Sequence, residues 1–400
     1  MLIFSIAVSW FNRQHCLFLV AIKLFSGVSH YITIREFYMG SWFRVVAIIA
    51  LLGFVGVLAL YARSPIQAVA FEAPSGAVNK AFSANEKLAA VRTYLQRVGN
   101  GPEDIVKGPD GDFYTGYQDG RIVRFSVRDG QVLEDSSREF VNTGGRPLGM
   151  QFDAAGNLIV ADAFKGLLSV SPAGEIQTLL DYADDPSLRF IDDVDVATDG
   201  TIWFSDASSR FGLHDYIYDL IEASATGRLL SYSPSNGELK VHLSGLYFAN
   251  GVSLGPDDSW VLVNETGASR VSRLWLTGPK AGTQDVFIDG LSGMPDNISF
   301  NGSDTFWVAI PALRSREIDA LASYPFLRKL LGGLPADLLV PTSKLGFVLG
   351  LGLDGTVKFN LQSESGVYHT ITSVNEYDGH LWLGSLAMPS IAVLPSPSVN

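Results

Sequence analysis

The chain has 400 residues, 40 glycines, a formal charge of −12 and a single cysteine near its start, so disulfides cannot hold it together and the fold must rest on burial. The acidic balance comes without runs of Lys or Arg, which argues against nucleic acid as a partner, because a phosphate backbone demands clustered cations. Metal ions and small molecules remain as ligands.

In chain order, the first predicted element is "WFRVVAIIALLGFVGVLALYA" from Trp42 to Ala62, apolar nearly throughout and long enough to cross about 30 Å of hydrocarbon. It reads as a single-pass anchor or an export signal. Residues 1–41 are then a cytoplasmic segment or the product of a mis-assigned start, since "MGSWFR" from Met39 has the charge of a normal signal n-region. The small-residue run "AVA" at Ala68–Ala70 offers a cleavage site, but it lies far beyond Leu60, which favours a retained anchor. Arg35 and Arg44, ahead of the apolar stretch and at its N-terminal end, bias that end towards the cytoplasm, while Arg63 beyond it blunts the bias. In either case the rest of the chain is exported, with residues 63–100 as linker and lead-in and 101–396 as the main domain.

From about Ser64 the pattern changes to short β-branched and aromatic runs punctuated by Gly, Asp and Asn. "PDGDFYTG", "AAGNLIVAD", "TDGTIWFSD", "PDDSWVLVN", "GSDTFWVAI" and "YDGHLWLGS" are six copies of one hairpin, with Tyr114, Ile159, Trp203, Val261, Trp307 and Trp382 at a shared position. Most intervals match a four-stranded propeller blade, so the expected fold is an all-β six-bladed propeller behind an N-terminal transmembrane helix. A sandwich would not repeat at this length, and solenoid repeats are usually shorter.

Counting back seven residues from each turn gives Glu103, Leu148, Asp192, Asn250, Asp296 and Ile371, four of them oxygen donors. The first strand of each blade lines the central channel, so these positions converge. Carboxylates stripped of water and aimed at one point repel unless a cation or shared protons compensate them. A hard divalent ion bound by carboxylates and amide oxygens fits calcium, whereas zinc would want His or Cys. Taken singly, each Asp ahead of a strand is more simply a turn or cap residue, and the shared phase carries the argument.

Two longer intervals hold insertions, about Ser208 to Thr226 with "HDYIYDLIEAS" and about Ala312 to Lys344 with "SREIDALASYPFLRKLLGGLP". Both fall between the second and third strands of a blade, on the face where the metal positions begin, and are expected to roof the mouth. Pro325 is well placed to open a helical turn, and Ile318, Leu321, Phe326, Leu327, Leu330 and Leu331 give this insertion an apolar face expected to pack on the propeller, with direct membrane contact as the alternative. His214 in the first insertion is the one histidine whose loop suggests a substrate contact.

"GPEDIVKGPDGDFYTGYQDGRIVRF", "RPLGMQFDAAGNLIVADAFKGLLSV", "DDVDVATDGTIWFSDASS", "GLYFANGVSLGPDDSWVLVNETG", "GPKAGTQDVFIDGLSGMPDNISF" and "EYDGHLWLGSL" resemble the strictosidine synthase-like proteins, in particular their adipocyte plasma membrane-associated branch. That branch sits with gluconolactonases, paraoxonases and diisopropylfluorophosphatases among calcium-dependent six-bladed propellers. The resemblance implies calcium ligands at Glu103, at the position of Asp192, at Asn250, and at Asp296 with Asn297. Asp192 stands where the family usually has Asn, and Asp193 beside it becomes the ligand if the strand is shifted by one residue. The glutamate of strictosidine synthase is replaced by Thr372, and the histidine of paraoxonases falls near Leu148, so neither catalytic group is present. No G-x-S-x-G elbow supplies a serine nucleophile.

The expected function is a membrane-tethered, calcium-dependent lactonase or arylesterase acting on a small ester or lactone. Asp296 or Asp193 would orient or deprotonate water, and Leu148, His214, Ile371 and Thr372 would surround the substrate. The alternative is a non-catalytic, calcium-stabilised propeller that binds a small ligand or protein. Because the span precedes the β-rich domain, a C-terminal reporter active only after export should report activity, and cytoplasmic reporter activity would overturn this topology.

Overall fold

Short β-branched runs joined by Asp-Gly and Asn-Gly turns favour antiparallel meanders over crossovers. The computed structural model describes residues 4–11, 15–23, 29–33, 41–73, 80–183, 185–340 and 344–398, and the alternative start at Met39 lies outside them. From Arg92 onwards the chain forms six four-stranded antiparallel sheets. Their first strands are Ile105–Lys107, Pro147–Phe152, Ile191–Val196, Ala249–Leu254, Ile298–Phe300 and Ile371–Tyr377, for blades 1 to 6. Each touches the first strand of the next blade, and the sixth touches the first, so the ring closes into a six-bladed propeller.

Closure uses the lead-in. Arg92–Tyr94 pairs with Ile391–Pro395 as the fourth strand of blade 6, so the propeller begins ahead of Gly101 and its two chain ends are tied together in one sheet. The repeated positions Tyr114, Ile159, Trp203, Val261, Trp307 and Trp382 lie on the second strands and are buried. Apolar clusters fill the spaces between neighbouring sheets, such as Trp307, Val348 and Leu361 of blade 5 against Val374 and Leu381 of blade 6. Truncating such a Trp would cost about 3–5 kcal/mol.

The repeat phase holds in five blades and slips in the sixth. There the first hairpin closes with a two-residue turn, Asp378 and Gly379, both at positive φ (51° and 71°), between paired Tyr377 and His380. Blade 2 instead spans Asp153 to Asn157 between paired Phe152 and Leu158. At the other end Ile371 pairs with Ser385 as Pro147 pairs with Asp162 and Ile191 with Asp206. Thr372, not Ile371, is therefore the equivalent of Leu148 and Asp192.

A first strand exposes one edge towards the channel, and its amides need partners. Side chains of the neighbouring blade supply them. Asp104 accepts from the Met150 N–H (3.1 Å), Asp193 from Val252 (2.8 Å) and Asp195 from Leu254 (2.8 Å). Asn375 closes the ring by donating to Asp104 and to the Ile105 carbonyl, each at 2.9 Å. Gly149 is required here, since a Cβ would come within 1.9 Å of the Asp193 carboxylate and 2.7 Å of its Cα.

Both insertions leave blades between their second and third strands, in blades 3 and 5, on one face. Helix α1 is the separate apolar helix Ser41–Arg63, whose 23 residues are about 34 Å long and able to span hydrocarbon. In the first insertion α2 (Tyr216–Glu222) buries Ile217 and Ile221, and in the second α3 (Arg316–Ala320) and α4 (Pro325–Leu331) follow Ala309. The apolar face expected of the second insertion is only partly used: Leu331 packs on α2, whereas Phe326 and Leu327 are exposed.

The cap is tied by two buried charges. Glu222 accepts from Arg210 (2.5 Å), from Ser224 (2.5 Å) and from the Gln67 N–H (2.6 Å). Arg328 donates to the carbonyls of Ile221 (2.8 Å), Glu222 (3.0 Å), Ala322 (3.4 Å) and Val69. The strap from Gln67 to Phe71 is thereby built into the cap, so cleavage at Ala68–Ala70 would cut an integrated segment. Removing a buried donor of several carbonyls should be costly, about 1–3 kcal/mol for each group left unpaired. Arg328→Ala is expected to lower amide hydrogen-exchange protection in α2 and around Val69 while leaving the six sheets protected; unchanged protection in the cap would refute this role.

Candidate functional site

The cap closes over one end of the channel, where a cavity of about 110 Å³ has Glu103, Asp192, Asn250 and Asp296 among its lining residues. All four phase-aligned oxygen donors are thus gathered at one place. Acids at the ends of second strands hold the loops that deliver them. Asp162 accepts from the Arg146 N–H (2.9 Å), Asp206 from Phe190 (2.8 Å) and Glu265 from Tyr247 (3.0 Å). The backbone carbonyl of Asp296 accepts from Asn264 Nδ2 (2.5 Å) and from the Gly251 N–H (3.2 Å), which fixes blade 5 against blade 4.

The polar groups are buried and incompletely satisfied. Glu103, Asp192, Asn250 and Asp296 are 2%, 5%, 4% and 8% exposed. Glu103 Oε2, Asn250 Oδ1 and Asn297 Oδ1 have no hydrogen-bond partner among the described residues. All three are acceptors, so what the site lacks is a donor or a cation. Burial, with repulsion from Asp104 and Asp296, holds the Glu103 carboxyl well above its ordinary range. Burial and then Asp296 do the same to Asp192, and burial pushes Asp296 up to about 7.

Among the described residues, no group of three or more His, Cys, Asp or Glu side chains is gathered closely enough to hold a metal by itself. An ion here would need amide oxygens as well as carboxylates, and the orphaned oxygens of Asn250 and Asn297 are of that kind. This donor set, oxygen throughout and irregular, suits a hard divalent cation such as calcium.

The walls differ from the floor. Leu148, Phe190, Phe248, Tyr216 and Leu220 line the cavity, the last two from α2. Two groups close to the carboxylates escaped the sequence reading. Arg146, only 2% exposed, donates to the Gly101 carbonyl (2.8 Å), and its positive charge offsets the upward shifts of Glu103 and Asp192. Its signal was its place beside Leu148 in "RPLGM". Tyr216 lines the cavity, and burial and the nearby Asp296 charge raise its phenol. No repeat marks it, because it sits in an insertion.

The remaining sequence candidates separate. Neighbouring strand residues face opposite ways, so Asp193 does not share the cavity with Asp192. Its carboxylate binds the Val252 amide and lines a wider opening of about 380 Å³ at the other end of the channel, together with Asp104 and Asp195. Asn297 also faces that opening, yet its Nδ2 reaches back to Glu103 Oε1 at 3.0 Å. Leu148 lines the cavity. Ile371 is core, and Thr372 donates to the Glu103 carbonyl (2.9 Å), so Thr370 takes the cavity side in blade 6. His214 stands outside the lining, stacked on Phe164 with ring centroids 5.0 Å apart.

The sequence model of the strictosidine synthase family matches residues 192–279, and that of the strictosidine synthase-like N-terminal region matches residues 81–125. An adipocyte plasma membrane-associated protein of Danio rerio is 36% identical over 386 residues, covering 89% of this chain and 91% of that protein. The protein strictosidine synthase-like 4 of Arabidopsis thaliana is 38% identical over 300 residues, covering 72% and 77%. Among solved structures, a gluconolactonase from Xanthomonas campestris superposes with a TM-score of 0.55 at 16% identity, covering 83% of this chain and 99% of that one. The calcium-binding protein regucalcin from Agrobacterium tumefaciens gives 0.51 at 12% identity, covering 77% and 95%. These two likenesses show a shared propeller fold. The extent and level of identity to the first two relatives show that this chain belongs to the strictosidine synthase-like family, which includes the adipocyte plasma membrane-associated proteins.

Proposed function

We propose that this protein is a membrane-tethered, calcium-dependent hydrolase of small lactones or esters, with the propeller on the non-cytoplasmic side. The observation that carries the reading is the pair of orphaned acceptor oxygens on Glu103 and Asn250 beside Asp192 and Asp296, at the floor of an otherwise apolar cavity, with the orphaned Asn297 Oδ1 behind Glu103. Glu103, Asp192, Asn250 and Asp296, with Asn297 behind Glu103, would hold the ion. Calcium bound there would supply carbonyl polarisation and stabilisation of developing oxyanion charge.

The chain's own residues do the rest. Leu148, Phe190 and Phe248 accept the apolar body of a substrate and exclude water from around it. Asp296 would orient or deprotonate a water, and Tyr216, which lines the same cavity, would offer a phenolic donor. The gluconolactonase fold of the neighbours is in keeping with lactone chemistry. A binding module is the second reading, favoured by Leu148 and Thr372 at the positions of the paraoxonase histidine and the synthase glutamate, and by the hydrogen bond that commits Thr372 to a backbone carbonyl.

A screen of lactones and aryl esters should find hydrolysis that chelator abolishes and calcium restores. Asp296→Asn should lower kcat by about 100-fold or more, while His214→Ala, outside the cavity, should change it only modestly. Activity unaffected by complete calcium removal would overturn the reading, and a folded, calcium-loaded chain inactive on every substrate would favour the binding module.

Stability should report the same charges. Folded-state carboxyl values raised above the unfolded ones, about 7 for Asp296 and about 6 for Asp104 and Asp195, stabilise the fold at low pH and lose that contribution as pH rises through them. The calcium-free protein should therefore melt several degrees higher at pH 5.5 than at pH 8. Calcium at pH 8 should recover the difference by binding the folded state, and a flat profile in both conditions would count against a buried carboxylate site.

A further inference from the structure

We propose that the cap lies on the bilayer from which the chain emerges, so that the cavity mouth opens against lipid. The inference takes Trp42–Arg63 as a retained span and does not depend on the hydrolase reading.

Its first support is the length of the tether. Arg63 ends the spanning segment, and Ile66 is fully buried with Ile217, Ile221 and Leu331 of the cap. Only Ser64 and Pro65 intervene, so the distance from Arg63 to Ile66 is at most about 10 Å. The headgroup zone on each side of a bilayer is itself roughly 5–8 Å deep. Contact with the cap begins at once: Gly332, just after α4, packs so closely that a Cβ on it would meet Ser64 Oγ and Ile66 Cγ1 at 2.8 Å each. The cap is thus the part of the propeller unit that the chain enters first after the spanning segment.

The second support is what the cap presents. From Tyr324 to Val340 it exposes Tyr324 (57%), Phe326 (57%), Leu327 (42%), Leu338 (69%) and Val340 (38%). Such side chains are unfavourable in water, and at a bilayer interface the same surface is stabilising, with tyrosine favoured at headgroup depth. Val340 also lines the cavity, so the exposed surface runs to the mouth. An amphiphilic ligand could pass from lipid to the cavity without crossing bulk water. A protein partner would also cover apolar side chains, but the short tether favours lipid as the occupant because it leaves little room for a protein layer between cap and membrane.

The test uses the full chain in phosphatidylcholine nanodiscs, with Cys16 replaced by Ser and one spin label at Leu327→Cys, Leu338→Cys or, as a control, Leu353→Cys. Leu353 is exposed in the turn between the third and fourth strands of blade 5, at the opposite end from the cap. Co-migration of the chain with the discs first establishes the span. Collisions with oxygen should then exceed those with a water-soluble nickel complex several-fold at the two cap positions, with the order reversed at Leu353. Cap labels as accessible to nickel as Leu353, or shielded from both reagents as beneath a protein partner, would overturn the proposal in a chain shown to be embedded.

Discussion

The structure depends on how a ring of first strands satisfies the edges it turns towards the channel. Each blade pairs its first strand on one side only, and the amides on the other side are too deep for bulk water. Asp104, Asp193 and Asp195 meet this demand by accepting N–H groups from the next blade. Hydrogen bonds to charged groups are stronger than neutral ones, about 1.5–3 kcal/mol, and these also fix the angle between sheets. The close approach of Asp193 to Gly149 shows how little space the arrangement leaves.

This solution concentrates negative charge on the axis, and the site is its consequence. Glu103 precedes Asp104, and Asp192 precedes Asp193, in the same short strand approaches. Alternation along the strand sends one carboxylate of the Asp192–Asp193 pair to the capped cavity and the other to the inter-blade contact. The stapling acids have amide partners, whereas Glu103 Oε2 does not. Arg146 supplies positive charge for only part of the cluster. A cation is the group that would complete the balance, and the site is formed where the staples end.

The cap encloses that polar floor in a cavity with apolar walls. Tyr216, Ile217 and Leu220 of α2 face downwards into it, while Glu222 on the same helix is bound to Gln67 in the strap and Arg328 ties Val69 to α2 and to the segment after α3. Tether and cap therefore share one set of contacts. A residue near the end of the strap bears on the order of the cavity roof although it is remote in sequence from every floor residue.

Much of this was legible from sequence because it repeats. Turn residues and alternating β-branched runs are local signals, and six copies in phase identified the propeller, the hairpin aromatics and the oxygen donors Glu103, Asp192, Asn250 and Asp296. The apolar run from Trp42 to Ala62 was equally plain, since length and composition alone decide whether a helix can span. Tertiary structure decided what local signals do not encode. A two-residue turn moved the blade 6 register from Ile371 to Thr372, strand alternation and a cross-blade amide took Asp193 out of the cavity, Tyr216 reached the cavity roof through an insertion, and Arg146 came near Glu103 from a neighbouring blade. Which side chains meet is set by the closing of a ring, which brings together residues from opposite ends of the chain, and no pattern within one repeat contains that information.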